Sequence, residues 1–393
     1  MKIYFKNLDG LRFFAAFIVL LHHAQYFKDI NTDINGQALS SVFAPYLVEA
    51  GKMGVNLFFV LSGFLISFLL FSEKRKTGTI ALKKFYIRRI LRIWPLYLAY
   101  GLALIVAAPM FFNIMGIQTD AIGGREIMTN ILFLLFFAVN IQLVFFTYNK
   151  GIVEILWSVC VEEQFYLIWP LLVKKFYHKM VRLILLLFVL ALVSKITLHM
   201  LHLYFGVSRD FMLLFDYVML TNKVQLFAAG MAMAYLHFNK ELFPAFRHFI
   251  TQKWLQWTIL LGTILFVACN NFVLPVNSIP YYYLTDYLSA LLFALLIFTV
   301  VQDNTILNLE YDMFRTLGRI SYGIYLFHPP VCRLVITFMV KVLKIPNSFW
   351  AYDILYFFLA TAATSALAWV SYELFEKRFL KLKDKFAIIK TRF

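Results

Sequence analysis

Apolar residues along this chain come in long runs, separated by short basic or polar connections. Eleven runs centre on 8–27, 53–72, 93–112, 127–147, 154–173, 183–205, 212–236, 255–273, 282–301, 317–340 and 350–374. Each is close to the roughly 20 residues that cross a bilayer as a helix. None alternates apolar and polar positions as a transmembrane β-strand does. The pattern predicts an all-α polytopic membrane protein.

The basic connections fix an orientation. They are Glu73–Arg92, Lys174–Arg182, the stretch from Phe238 to Lys253, and the chain from Lys377 onward. Lys and Arg concentrate in cytoplasmic loops. If all of 93–112, 127–147 and 154–173 crossed, Lys174–Arg182 would lie outside. The segment 127–147 carries Asn130, Asn140 and Gln142, which a re-entrant hairpin tolerates where it lines a cavity. The expectation is about ten transmembrane helices plus one re-entrant apolar segment, with both termini cytoplasmic. External connections then fall at 28–52, 113–126, about 147–154, 206–211, 274–281 and 341–349. Lys341 and Lys344 depart mildly from the rule.

Composition agrees. The 393 residues are 62% hydrophobic and 15% charged, against about 25% charged in a soluble domain. Mean hydropathy is +0.75. The net charge of +16 would suggest nucleic acid in a soluble protein. Here the positive-inside rule accounts for it, so the bilayer and not nucleic acid is the expected partner. Cys160, Cys269 and Cys332 lie far apart in apolar segments, without metal or disulfide spacing, and read as packed core residues. The first run ends in His-His rather than a small-residue cleavage site, so it reads as a retained helix. The organisation expected is one membrane domain over 1–380 and a basic cytoplasmic tail over 381–393.

Ionisable groups inside membrane segments are costly and mark functional candidates. Four stretches hold them. In "LRFFAAFIVLLHHA", Arg12 and His23 are eleven residues apart, which places them about 20° from one helical face and about 16 Å apart along the axis. His22 points about 80° away and reads as a spectator. Arg12 snorkelling to one interface while His23 reaches the other fits the spacing equally well. In "FYIRRILRIWPLY", Arg88, Arg89 and Arg92 precede a span. They suit a positive-inside anchor or a phosphate grip, since the guanidinium is a planar fork. In "EILWSVCVEEQFYLIWP", Glu162 and Glu163 need a partner or a wet cavity. Their two readings are an internal ion pair and a catalytic or orienting carboxylate, with Trp157, Ser158 and Tyr166 as neighbours. In "RISYGIYLFHPP", His328 precedes two prolines that free backbone carbonyls, and capping that break is its plainer role. The small residues of "GVNLFFVLSGFLI" favour close helix packing.

These stretches, with "SYELFEKRF", resemble in order the blocks of the acyltransferase 3 family of integral-membrane O-acyltransferases. The resemblance covers residues 7–380. Three positions depart from the pattern. Asn56 stands where an acid is common, Lys223 where arginine is frequent, and "FEKRF" lacks a proline. The resemblance implies transfer of an acyl group, usually acetyl, from cytoplasmic acyl-CoA to a hydroxyl on an extracytoplasmic or exported carbohydrate. Some relatives modify small secondary metabolites instead. It also implies a place in the inner (cytoplasmic) membrane and no metal. His23 would be the general base, or an acyl relay, with Glu162 or Glu163 orienting its ring. Arg12, Arg88, Arg89 and Arg92 would hold the donor, and Trp157, Ser158, Tyr166 and His328 would line the acceptor. Many relatives carry a fused extracytoplasmic hydrolase-like domain. None is seen in this sequence, so the membrane domain would complete the transfer or hand it to a separate partner. A transporter or lipid-linked glycan flippase is the competing class, and a non-catalytic member of an envelope assembly the third.

Overall fold

The long apolar runs, rich in Leu, Phe and Ala, have no backbone alternative to the helix in a lipid interior, where every N–H and C=O must be satisfied locally. The computed structural model describes residues 2–33, 35–107, 124–146, 152–273 and 279–391, and these are helical apart from two two-residue strands and the connecting turns. The helices are α1 Leu8–Asp29, α2 Ala50–Thr77, α3 Leu82–Leu102, α4 Gly124–Leu135, α5 Val139–Phe145, α6 Leu156–Phe176, α7 Met180–Phe205 and α8 Arg209–Val218. There follow α9 Leu220–Phe238, α10 Pro244–Ile250, α11 Lys253–Val273, α12 Ile279–Val300, α13 Asp312–Arg319, α14 Ser321–Thr337, α15 Tyr356–Ser371 and α16 Lys377–Asp384.

Among the described residues, six helical runs are long and apolar enough to cross a bilayer. They are Ala44–Thr77, Leu82–Ala107, Leu156–Phe205, Tyr283–Val300, Ser321–Val342 and Trp350–Asp384. This is the make-up of a multi-pass membrane protein. The expected external connections at 113–126, about 147–154 and 274–281 lie largely outside the described residues.

The chain divides into two compact units. The first comprises Met1–Leu65, Ala229–Leu374 and Thr391–Phe393. Its centre is α14, which packs along α1 on one side and α15 on the other. Phe13, Ala16, Leu20, Ile324, Ile336, Tyr352 and Tyr356 fill the seam. Small residues set the spacing, as the glycine-rich stretch predicts. A Cβ on Gly54 would lie 2.6 Å from the Ala15 carbonyl oxygen, and one on Gly51 2.5 Å from the His22 ring.

The second unit comprises Ile66–Ala228 and Phe375–Lys390. Here α6 packs against α3 and α5, and α16 packs on α3. The stretch 127–147 is not one helix. Phe137 takes φ 51°, a left-handed conformation costly for a bulky residue, and separates α4 from α5. Stacking of its ring on Tyr97, with centroids 4.3 Å apart, helps hold that turn. At 12 and 7 residues the two helices rise about 18 Å and 10 Å, so neither spans the core alone. The polar residues of this stretch are paired: Gln142 Nε2 donates to Asn130 Oδ1 at 2.6 Å, and Asn140 and Gln164 bond reciprocally. The basic end of the chain is helical to Asp384, and the Phe386 carbonyl accepts from Arg88. Cys160 and Cys332 are buried and Cys269 is partly so, all as free thiols.

Candidate functional site

In the first unit the site is built on α1 and α14. Arg12 and His23 both lie on the uninterrupted α1. Arg12 Nη1 donates to Asp9 Oδ1 at 3.0 Å, one turn earlier. His23 Nδ1 lies 3.0 Å from the Val19 carbonyl on the preceding turn. A carbonyl only accepts, so Nδ1 carries the hydrogen and, in the neutral ring, Nε2 holds the basic lone pair. Thus the ring's tautomer and orientation are set within α1. His22 has a different setting: its Nδ1 donates to the Leu47 carbonyl at 2.8 Å and its ring edge abuts Gly51. It pins the turn that leads into α2.

His328 comes beside His23, with ring centroids 4.8 Å apart. It is fully buried. Its Nδ1 bonds the Ile324 carbonyl at 3.2 Å, one turn back along α14. It sits within a helix that runs on through Pro329 and Pro330.

In the second unit the carboxylates sit on α6, facing α3. Trp94 Nε1 donates to Glu163 Oε2 at 3.1 Å, and the Tyr166 hydroxyl donates to the Glu162 carboxylate. The Arg89 guanidinium lies 5.3 Å from the Tyr166 ring centre and 5.8 Å from that of Phe85. Two buried atoms here have no hydrogen-bond partner among the described residues: Glu163 Oε1 and Arg89 Nε. Arg88 is engaged by the Glu73 carboxylate at 3.2 Å and the Phe386 carbonyl at 3.1 Å. Arg92 lies three residues beyond Arg89 on α3. Trp157 packs on Tyr217 at 4.8 Å, and Lys223 lies over the other ring of that contact at 5.7 Å. Ser158 Oγ donates to the Ile155 carbonyl. The structure therefore joins Glu162, Tyr166 and Arg89 in one group and His23 with His328 in another. Arg12 and His23 belong to the first unit, and Glu162, Glu163 and the three arginines to the second.

Three further buried ionic groups were not singled out in the sequence. Lys28 meets Asp353 at 2.7 Å. Lys52 lies 3.4 Å from Asp286, which also accepts from Asn56. Lys195 meets Asp216 at 2.5 Å, and Asn222 donates to the same carboxylate oxygen. The rule that flagged Glu162 applies equally to these lysines and aspartates. They fall within or at the ends of apolar runs and read there as snorkelling or boundary residues. Trp94 likewise fits an interfacial helix start by sequence alone. Among the described residues, no group of three or more His, Cys, Asp or Glu side chains is placed to hold a metal ion.

Comparison with known proteins agrees with the order of these motifs. The acyltransferase 3 family model, described as an acyltransferase domain, matches residues 5–372. The chain is 28% identical to the peptidoglycan O-acetyltransferase OatA of Listeria monocytogenes over 394 residues, covering 95% of this chain and 55% of that protein. It is 28% identical to the putative peptidoglycan O-acetyltransferase YrhL of Bacillus subtilis over 394 residues, covering 95% of this chain and 54% of that one. The O-acetyltransferase OatA of Staphylococcus aureus is 31% identical over 182 residues, 45% of this chain and 26% of that protein. The chain thus spans about half the length of the two relatives it matches end to end. No solved structure matches it. With the family model covering all but the extreme ends of the sequence, the chain belongs to the acyltransferase 3 family.

Proposed function

We propose that this chain is a membrane O-acetyltransferase. It moves an acetyl group from acyl-CoA to a hydroxyl of an envelope carbohydrate, and peptidoglycan, named for its relatives, is the first acceptor to test. The observation that carries this reading is the state of His23. Its Nδ1 is committed to the Val19 carbonyl, so Nε2 is a base fixed on a rigid helix. A neutral imidazole with a free lone pair can take the proton of a hydroxyl as that oxygen attacks a thioester. The new C–O bond forms, the C–S bond breaks, and the thiolate leaves. An acyl group carried briefly on Nε2 uses the same lone pair.

Donor binding follows from the cationic residues. Arg89, whose Nε is buried without a partner among the described residues, is the better candidate for a phosphate or amide oxygen of the donor. Arg88 is already met by Glu73. Arg12 offers a second cation on the helix that carries His23. Glu162 and Glu163 then order the α3–α6 face through Tyr166 and Trp94. In this reading both termini are cytoplasmic, the chain lies in the cytoplasmic membrane, and 127–147 is re-entrant. The break at Phe137 and the basic loops support that topology.

The test is mass spectrometry of envelope glycans from cells carrying the wild-type chain, His23→Ala or His22→Ala. The expected result is O-acetyl esters with wild type and His22→Ala and none with His23→Ala, at equal membrane levels. Undiminished esters with His23→Ala would overturn the role of the base.

A further inference from the structure

His328 Nε2 is buried and has no hydrogen-bond partner among the described residues. Leaving a buried polar atom unsatisfied is costly, so its persistence here calls for a reason. Capping the proline break does not supply one, because Nδ1 already serves the Ile324 carbonyl. That bond fixes the hydrogen on Nδ1 and leaves Nε2 as a lone pair. His23, whose ring lies 4.8 Å away centre to centre, is fixed in the same tautomer by Val19. Two imidazoles in contact therefore both present a basic nitrogen, and neither has a hydrogen to offer the other.

Such a pair lacks one proton. We infer that His23 and His328 act as a single two-nitrogen base that holds one shared proton during turnover. This rests on His23 being the base of the proposed reaction. The acceptor hydroxyl gives its proton to His23 Nε2 as the oxygen bonds the thioester carbon. The C–S pair leaves with sulfur as thiolate. While the imidazolium exists, its Nε2–H is held by the lone pair of His328 Nε2. The proton then passes to the thiolate, giving the ester and the free thiol with both rings neutral again. His328 is thus a positioning residue acting through His23.

The surroundings suit a shared proton. His22 is the third ring of the row, 4.9 Å from His23, and acts electrostatically on both members of the pair. Its own Nδ1 hydrogen is bound by Leu47, and Glu49 acts on it from the turn just before α2. On α14, the Tyr325 ring lies 5.8 Å from His328. Arg333 is half-buried further along α14. On α15, the Tyr356 hydroxyl is taken up by the Ala24 and Cys332 carbonyls. Among the described residues, the hydrogen bonds of the two rings go to the Val19 and Ile324 carbonyls and to no carboxylate.

Two measurements decide the matter. The first is 15N NMR of the full chain in lipid bilayers, labelled at its eight histidines and assigned with single His→Gln variants. The expected spectrum shows His23 and His328 both as Nδ1–H tautomers at high pH, with their Nε2 signals shifting together as one proton enters. An Nε2–H tautomer at His328, or protonation of His23 that leaves His328 unmoved, overturns the pair, and this readout needs no active variant. The second is the kinetics of His328→Gln, which keeps a polar group but cannot take a proton. The expected loss in kcat is about 100-fold, the scale of acid–base assistance, with KM for donor and acceptor unchanged and a displaced acid limb of the pH profile. Wild-type kcat and pH profile in this variant also overturn it. If His23→Ala keeps full activity, the base itself is misassigned. If His23→Ala is inactive and His328→Gln is not impaired, only the pair fails.

Discussion

Lys28 Nζ lies 2.7 Å from Asp353 Oδ1, and both side chains are fully buried. The same carboxylate accepts from the Ser40 hydroxyl at 2.5 Å and the Val42 amide at 3.2 Å, and Lys28 also lies over the Phe357 ring. One ion pair thus ties the end of α1, the 40–42 loop and the helical turn Trp350–Leu355 just before α15 together. Removing one member of a buried pair leaves an uncompensated charge and costs about 3–5 kcal/mol, whereas an apolar replacement of both is often neutral. Lys28→Met alone and Asp353→Leu alone should each lower the melting temperature sharply, and the double variant should recover most of it. Thermal unfolding in detergent reads this. Additive losses in the double variant would refute the coupling.

Trp94 is the hydrogen-bond donor to Glu163, whose other oxygen is buried without a partner among the described residues. Trp94→Phe keeps the aromatic packing and removes the donor, at an expected cost of about 1–3 kcal/mol. In a Glu163→Leu background the same change should cost almost nothing, because no carboxylate remains to be satisfied. A double-mutant cycle on unfolding midpoints measures that coupling directly.

Gly318 on α13 lies against the start of α1. A Cβ there would stand 2.1 Å from the Asp9 carbonyl oxygen, too close for the backbone to accept without moving. Gly318→Ala should destabilise by about 1–3 kcal/mol, the cost of overpacking, and should shift the turn that carries Asp9 and Arg12. A melting temperature equal to wild type would show that α13 can move away freely.

Tyr4 precedes α1, and its hydroxyl donates to Glu310 Oε2 at 2.5 Å. Burial first, and then the Glu310 carboxylate, push this phenol well above its ordinary range. The folded chain therefore binds the proton more tightly than the unfolded one, and the stabilisation is complete below the unfolded pKa of about 10. It is lost as pH rises from there toward the folded value. Tyr4→Phe should remove this alkaline component of the stability curve while leaving a loss at neutral pH from the broken hydrogen bond. Unfolding midpoints at pH 9, 10 and 11 (about one unit either side of the free phenol) compare the two.

The helical class was legible because lipid leaves an apolar run of this length only the helix, and the eleven runs show it without any tertiary information. The arithmetic that put Arg12 and His23 near one face needed only the helical repeat, and α1 is the continuous helix it assumes. The break in 127–147 was signalled by Asn130, Asn140 and Gln142, although its position at Phe137 was not. An aromatic residue carries no local turn signal, and that conformation is held by Tyr97, forty residues earlier.

Sequence alone marked Arg12, His23, Glu162, Glu163 and His328 as too polar for their surroundings, since the cost of an ionisable group in an apolar segment is local. Tertiary structure alone decided which of them answer one another. His23 and His328 are 305 positions apart and Lys28 and Asp353 are 325 apart, and no local pattern encodes a partner at such range. The close approach of α14 to α1 brings the first pair together, and the fixing of both Nδ1 hydrogens by carbonyls of their own helices gives that approach its chemical meaning.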